Sequence, residues 1–342
     1  MIIRRRIIPG DFLDSYVYEN MLILSTGDNR LACASFEDSF DRTDDCVIHF
    51  LEKNARFQEM DQFITDLDVY KGTIYFCNSD GVFSLKLSAV GRASEKPGVS
   101  KIWDAPVQCI KAGKNGRIAL SASSDGLFEY DTDENIELIN MGNIVEHNIH
   151  QITGNHSTYC RWSNGNLWNS SIAGKNSFYE YNNYNNRSSK GKTTKIWFVD
   201  EHAEEEIFPE RKNSGVVFMQ ENANSIFRLE AGNLRMVRYS QPNSSKIKFS
   251  EAKTVPILIP EEQATECSRM AFSKLKIPDA YVIETSSGLY VVQENGKTLY
   301  SSKPNDLVVG WRVFQRSRKH NNHLHIVFED RVEIISFEEA HE

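Results

Sequence analysis

Long apolar runs are missing from this sequence. No window of its 342 residues approaches the ~18 consecutive apolar residues of a membrane-spanning helix, so no membrane partner is expected. The first residues, Met1–Ile8, alternate Ile with Arg and hold neither a signal-peptide core nor a small-residue cleavage site, which argues against secretion. Also missing is any CxxC pair. The six cysteines, Cys33, Cys46, Cys77, Cys109, Cys160 and Cys267, are scattered, and two of them fall inside apolar runs as small buried hydrophobes do. They are read as reduced thiols, which places the chain in the cytoplasm with the nucleus left open. No stretch has the period and caps of a long helix. There is no Gly-x-Ser-x-Gly elbow, phosphate-binding loop or dinucleotide fingerprint, so no cofactor is expected and the reading leans away from an enzyme. Positive charge is in deficit: the net charge of −8 argues against broad nonspecific nucleic-acid binding, although it allows a local basic patch.

What is present is repetition. An apolar run, a small polar turn and a second apolar run recur seven times. The clearest copies are Ile74–Cys77 with Val82–Leu85 and Ile118–Ser121 with Leu127–Tyr130. Others are Met21–Leu24 with Leu31–Ala34, Tyr159–Trp162 with Leu167–Trp168, and Val216–Met219 with Ile226–Leu229. Tyr281–Ile283 with Leu289–Val292 and Ile326–Phe328 with Val332–Ile335 complete the set. The first residues after the turns are spaced by 51, 45, 40, 59, 63 and 43, about 50 on average. Four-stranded propeller blades run at this period. Alternation at period two, rich in Val, Ile, Tyr and Phe, marks the runs as strands. The expectation is an all-β chain: one seven-bladed β-propeller domain over residues 1–342.

The chain ends support a closed ring. The last repeat supplies three strands, and an unpaired one, Ile2–Ile8, is left over at the start; pairing the two closes the ring and protects a sheet edge. In the third repeat Val107–Ala112 is assigned innermost, then Gly116–Ser121 and Gly126–Asp131, with Asn135–Asn140 outermost. The outer strands of the second and fourth repeats are set at Ser100–Trp103 and Thr194–Val199. One residue past the markers stand Phe83, Phe128, Trp168, Phe227 and Tyr290, read as flat rings filling the wedge between blades. Two insertions interrupt the pattern. The polar one at about 174–192 reads as a mobile surface loop. The one at about 241–265 carries Pro242, Pro256 and Pro260 and reads as irregular, with its apolar 255–260 segment packed on the body.

The segments Ile74–Lys86 and Ile118–Thr132 resemble regulator-type propeller repeats, in which a small polar pair precedes Asp/Ser-Gly-Leu-Phe/Tyr. Residues 123–131, Ser-Ser-Asp-Gly-Leu-Phe-Glu-Tyr-Asp, match best, and 286–290 are a clipped version. The pattern departs from the WD40 signature, because no repeat pairs Gly-His with a terminal Trp-Asp. The resemblance implies architecture and a tendency toward protein binding, and it implies no activity.

Three clusters could carry chemistry. His147, His150 and His156, with Cys160, have metal-ligand residue types, but positions three apart on a strand face opposite sides. They are read first as loop and strand polar residues. His320, His323 and His325 read as surface histidines at a hairpin tip. With Arg312, Arg316, Arg318 and Lys319 they make the region basic enough to touch phosphate or an acidic partner. Tyr179, Tyr181, Tyr184 and Arg187 in the first insertion complete the expected partner-binding residues. The favoured reading is a noncatalytic interaction module or scaffold subunit in a multiprotein complex. An enzyme or small-ligand site in the axial channel, and a nucleic-acid-associated subunit, stay open beside it.

Overall fold

In a computed structural model the chain forms seven sheets. The structure describes residues 2–37, 55–91, 98–113, 116–132, 136–139, 144–146, 148–163, 167–172, 175–187, 193–209, 215–220, 223–230, 232–241, 246–255, 259, 261–273, 280–303 and 305–338. Blade 1 runs Phe12–Tyr18, Met21–Thr26, Arg30–Ser35 and Arg56–Glu59, each antiparallel to the next. Blade 2 repeats this with Asp66–Tyr70, Thr73–Asn78, Gly81–Lys86 and Val99–Trp103. Blade 6 does so with Cys267–Ser273, Ala280–Thr285, Gly288–Gln293 and Thr298–Ser301. Blade 7 is built from both chain ends: Val308–Val313, His323–Phe328 and Arg331–Glu338, then Ile2–Pro9 outside them. The closing strand is antiparallel and in register from Ile2 opposite Glu338 to Pro9 opposite Arg331, as the leftover N-terminal strand predicts.

The hydrophobic core is divided among the blade interfaces. Each of seven clusters mixes side chains of two adjacent blades. One joins Val17, Leu22 and Leu24 of blade 1 to Val327, Val332 and Ile334 of blade 7, with Ile8 of the closing strand. The aromatic wedges take part as expected. Trp103 of blade 2 packs on Phe128 of blade 3 with ring centroids 4.7 Å apart. Phe227 of blade 5, the sheet of Val216–Met219, Ser225–Glu230 and Asn233–Ser240, stacks on Phe272 of blade 6 at 6.2 Å. Because both faces of every blade are covered, the second strands are buried almost without alternation, as in Met21–Thr26 and His323–Phe328.

The turn glycines carry the repeat motif for a backbone reason. Gly81 and Gly126 have φ of +140° and +104°, and a Cβ on either would run into a carbonyl of the blade's fourth strand, that of Trp103 or Thr153.

Four expectations need correction. The repeats placed at Tyr159–Trp168 and Val216–Leu229 are slipped by one strand. Tyr159–Ser163 with Leu167–Ile172, and Val216–Met219 with Ser225–Glu230, are first and second strands rather than second and third. The slip explains the uneven spacings of 40 and 63. In blade 3, which begins Cys109–Ala112, Arg117–Ser121 and Leu127–Asp131, the fourth strand is Ile149–Thr153, with Ile144–Glu146 beyond it. The segment set as its outer strand crosses over: Ile136–Ile139 pairs in parallel with Thr193–Ala203 of blade 4. Finally, the polar insertion is not a loop, since Lys175–Arg187 is one 13-residue strand paired with Thr193–Ala203 along its length. Pairing with the following strand satisfies the backbone amides of this polar segment. Gly174 and residues 188–192 lie outside the described residues. The second insertion forms two short strands, Lys248–Phe249 and Lys253–Val255, against Asn233–Ser240, and then a short helix, Glu261–Thr265. Its Ile259 is buried and Val255 packs on the same cluster, while its three prolines lie outside the described residues.

Candidate functional site

The first strands of the blades line the axis, and six of them carry charge in otherwise apolar runs: Asp14, then Asp66 and Asp68, Lys111, Arg161, Arg269 and Arg312, the last on blade 7. Arg312 is the hub of an ionic clasp. Its Nε donates to Asp14 Oδ1 at 2.8 Å, and its Nη2 donates to Asp14 Oδ2 at 2.5 Å and Asp66 Oδ1 at 2.6 Å. Asp66 Oδ2 accepts the Ile110 amide at 3.0 Å and lies 4.0 Å from Lys111 Nζ. Asp68 takes the Ala112 amide at 2.9 Å and the Tyr16 hydroxyl at 2.6 Å. Blades 7, 1, 2 and 3 are thereby tied across the axis. Burial opposes charge on Arg312 and Lys111, but facing carboxylates outweigh it: both are held above their ordinary values, by Asp14 and Asp66 for Arg312 and by Asp66 for Lys111. For Asp66 burial opposes the charge too, and Lys111 and Arg312 overcome it, so its pKa is lowered.

Next to the clasp the channel opens into a cavity of about 420 Å³. Arg161 is held there by donating its Nε to the Tyr159 hydroxyl at 2.6 Å and its Nη1 to the Met270 carbonyl of blade 6 at 3.3 Å. Arg269 lies over the Trp311 ring, its guanidinium carbon 4.4 Å from the centroid, and Trp311 Nε1 in turn donates to Glu284 at 2.5 Å. Its Nε is buried with no hydrogen-bond partner among the described residues. The segment between the first two strands of blade 7 forms one side of the mouth. From it Arg316 donates to the Ala112 carbonyl of blade 3 at 2.8 Å, and Arg318 and Lys319 are exposed. Seven cations line this cavity against two carboxylates, Glu19 and Asp68. An acidic chain has gathered a basic mouth.

The structure brings together four of the residues expected to bind a partner: Arg312, Arg316, Arg318 and Lys319 all line the mouth, Arg312 as part of the clasp. Tyr179 is buried in a cluster between blades 3 and 4, and Tyr181, Tyr184 and Arg187 follow it along the long hairpin, away in sequence and sheet from the blade 7 group. Of the metal candidates, His150 is buried on the fourth strand of blade 3. His156 is exposed with its Nε2 3.1 Å from Ser123 Oγ, and His147 lies outside the described residues. Cys160 is buried with its Sγ 3.8 Å from Cys109 Sγ of the neighbouring blade. Among the described residues no three His, Cys, Asp or Glu side chains are grouped to hold a metal ion.

The surface-histidine expectation is overturned. His320, His323 and His325 are all buried, arranged around Phe36 at centroid distances of 4.9, 5.2 and 6.1 Å. His325 Nδ1 meets Ser15 Oγ at 2.8 Å, and His320 is bonded to the Glu19 carbonyl. The third strand of blade 7 and the blade 1 interface cover what looked like a hairpin tip. The site residues that sequence reasoning missed are Lys111, Arg161 and Arg269. Their signal was slight: one cation inside a short apolar strand.

No protein-family model matches the sequence, and no curated protein does. Among solved structures, the Cps50 (Swd1) beta-propeller domain of Myceliophteria thermophila aligns with a TM-score of 0.59. The alignment covers 98% of this chain and 100% of that one at 11% identity. The shared property is the β-propeller fold. At that identity the likeness carries nothing about residues or partners. Among the described residues of this propeller no helix is long and apolar enough to cross a membrane.

Proposed function

We propose that this propeller is a noncatalytic interaction subunit that offers the basic mouth of its channel to an anionic segment of a protein partner. The observation that carries the reading is convergence. Cations from blades 3, 4, 6 and 7 meet at one opening of a chain whose net charge is −8. Such a field focuses at a concave site and speeds encounter with an acidic partner. The clasp beneath supports the role, since it keeps the wall in place without using Arg318 or Lys319. The Swd1 domain has the same fold, and propellers offer a rigid face from which loops make contacts.

The test is affinity capture of the tagged chain from its own cells, with and without nuclease, beside the triple variant Arg316→Glu, Arg318→Glu, Lys319→Glu. A stoichiometric protein partner that survives nuclease and is lost with the triple variant is expected. Retention by the triple variant would refute the mouth as the binding face. Loss of every partner on nuclease treatment would replace the protein with a nucleic acid.

A further inference from the structure

The mouth is more selective than a basic patch. We infer that it is built for phosphate rather than carboxylate: a phosphate-bearing group entering the cavity, met by Lys111, Arg161 and Arg269 on the wall and by Arg318 and Lys319 at the rim. The inference rests on the reading of the mouth as the binding face.

Three observations carry it. The first is charge. Counting Asp14 and Asp66 of the clasp beside Glu19 and Asp68, the seven lining cations still outnumber the carboxylates by three. A carboxylate brings one negative charge, whereas a phosphomonoester brings about 1.5–2 and a phosphoanhydride chain more. The second is direction. Lys111, Arg161, Arg269 and Arg318 belong to blades 3, 4, 6 and 7 and approach from different sides of the axis. The two oxygens of a carboxylate lie in one plane and suit one fork. The terminal oxygens of a phosphate are tetrahedrally disposed and accept from several walls at once. The third is preorganisation. Tyr159 and the Met270 carbonyl hold Arg161, and the Trp311 ring packs against Arg269, while the buried Nε of Arg269 has no partner among the described residues. Guanidiniums fixed in this way lose little freedom on meeting a ligand. At about 420 Å³ the cavity has the size of a small-molecule site, enough for a few linked phosphates.

The phosphate could belong to a phosphorylated side chain of the partner or to a free polyphosphorylated compound; the chemistry at the mouth is the same. The probe is inorganic tripolyphosphate, titrated calorimetrically into the full chain, with citrate as the polycarboxylate control. One tripolyphosphate per chain is expected, at least tenfold tighter than citrate. Arg269→Lys keeps the charge and loses the fork; it should weaken tripolyphosphate at least tenfold and leave citrate little changed. Should that variant melt early, Arg318→Gln with Lys319→Gln, both at exposed positions, should weaken tripolyphosphate severalfold in a normally folded chain. Equal affinity for the two anions, or no saturable tripolyphosphate binding, would overturn the inference.

Phosphatase treatment of the lysate separates the sources. If it abolishes partner capture, the phosphate is on the partner. If capture survives while tripolyphosphate binds, the phosphate comes from a free compound. A partner that is lost with the charge-reversal variant, beside a chain that ignores tripolyphosphate, would refute the phosphate inference and leave the protein-partner reading standing.

Discussion

Replacing Glu333 should loosen the ring at the seam where the chain ends meet. Glu333 occupies the place where five other repeats were expected to carry an aromatic ring, and it is fully buried. Its Oε2 accepts from Arg5 Nε of the closing strand at 2.8 Å and from the Tyr300 hydroxyl of blade 6 at 3.2 Å. Its Oε1 accepts from Arg331 Nε at 2.8 Å and from a second Arg5 nitrogen. Burial pushes its pKa up, but the Arg5 and Arg331 hydrogen bonds outweigh this and hold it below the ordinary carboxylate value. Removing one partner of a buried ion pair costs about 3–5 kcal/mol; because the Arg5 side chain is 41% exposed and can rehydrate, the lower end applies, ~3 kcal/mol for Glu333→Gln. For 342 residues the unfolding entropy is about 0.7 kcal/mol/K, so the melting temperature should fall by ~4 °C. Calorimetry of Glu333→Gln, Arg5→Ala and the double variant checks the mechanism. The two losses should fall short of adding, because Arg5→Ala has already removed much of what Glu333 does. A lowered carboxyl pKa stabilises above the unfolded value, and this contribution disappears as pH falls through the folded value. The gap between wild type and Glu333→Gln should therefore begin to narrow below the unfolded value of about 4.3 and close only once pH has fallen through the lowered folded value. Additivity of the two losses within about 0.5 kcal/mol would refute the Arg5–Glu333 pair as the closure device.

Two further outcomes follow from backbone and burial. Gly126→Ala meets both a positive φ and the Thr153 carbonyl, so it should cost ~2–3 kcal/mol. Gly72→Ala has φ +73° but open space around its Cβ, so it should cost only ~1 kcal/mol; equal losses in urea melts would show that the close approach does not matter. His325 is held well below its ordinary pKa by burial first, then by His323, His320 and Arg312, so the folded state keeps it neutral. The unfolded chain takes up that proton near pH 6.5, and stability should fall as pH drops from 7 to 5. His325→Phe, placed between Phe36 and Phe314, should flatten that slope; an unchanged slope would assign the acid sensitivity elsewhere.

Much of the scaffold was legible because its causes are local. Period-two apolar runs make strands, and Asp-Gly or Ser-Gly turns supply the positive φ that places one strand beside the next. Counting strands at the two ends was enough to pair Ile2–Ile8 with the last blade. Local signals failed where two segments compete for one edge. Ile136–Ile139 and Ile149–Thr153 read alike as strands, and only the packing of blades 3 and 4 decides that the first leaves its own sheet. They failed also for slipped repeats, since any two adjacent apolar runs look like any other two. Histidine burial was invisible for a similar reason: His323 and His325 alternate as exposed residues do, yet both faces of a blade are covered.

By itself, then, the sequence determined an all-β chain of seven repeats closed by its own ends, because strand periodicity and turn stereochemistry act over a few residues. Only the tertiary structure decided where charge gathers. Lys111, Arg161, Arg269 and Arg318 are as much as 207 positions apart and carry no common motif. They share a mouth because ring closure brings the inner strands of different blades to one axis, and that geometry belongs to no single repeat.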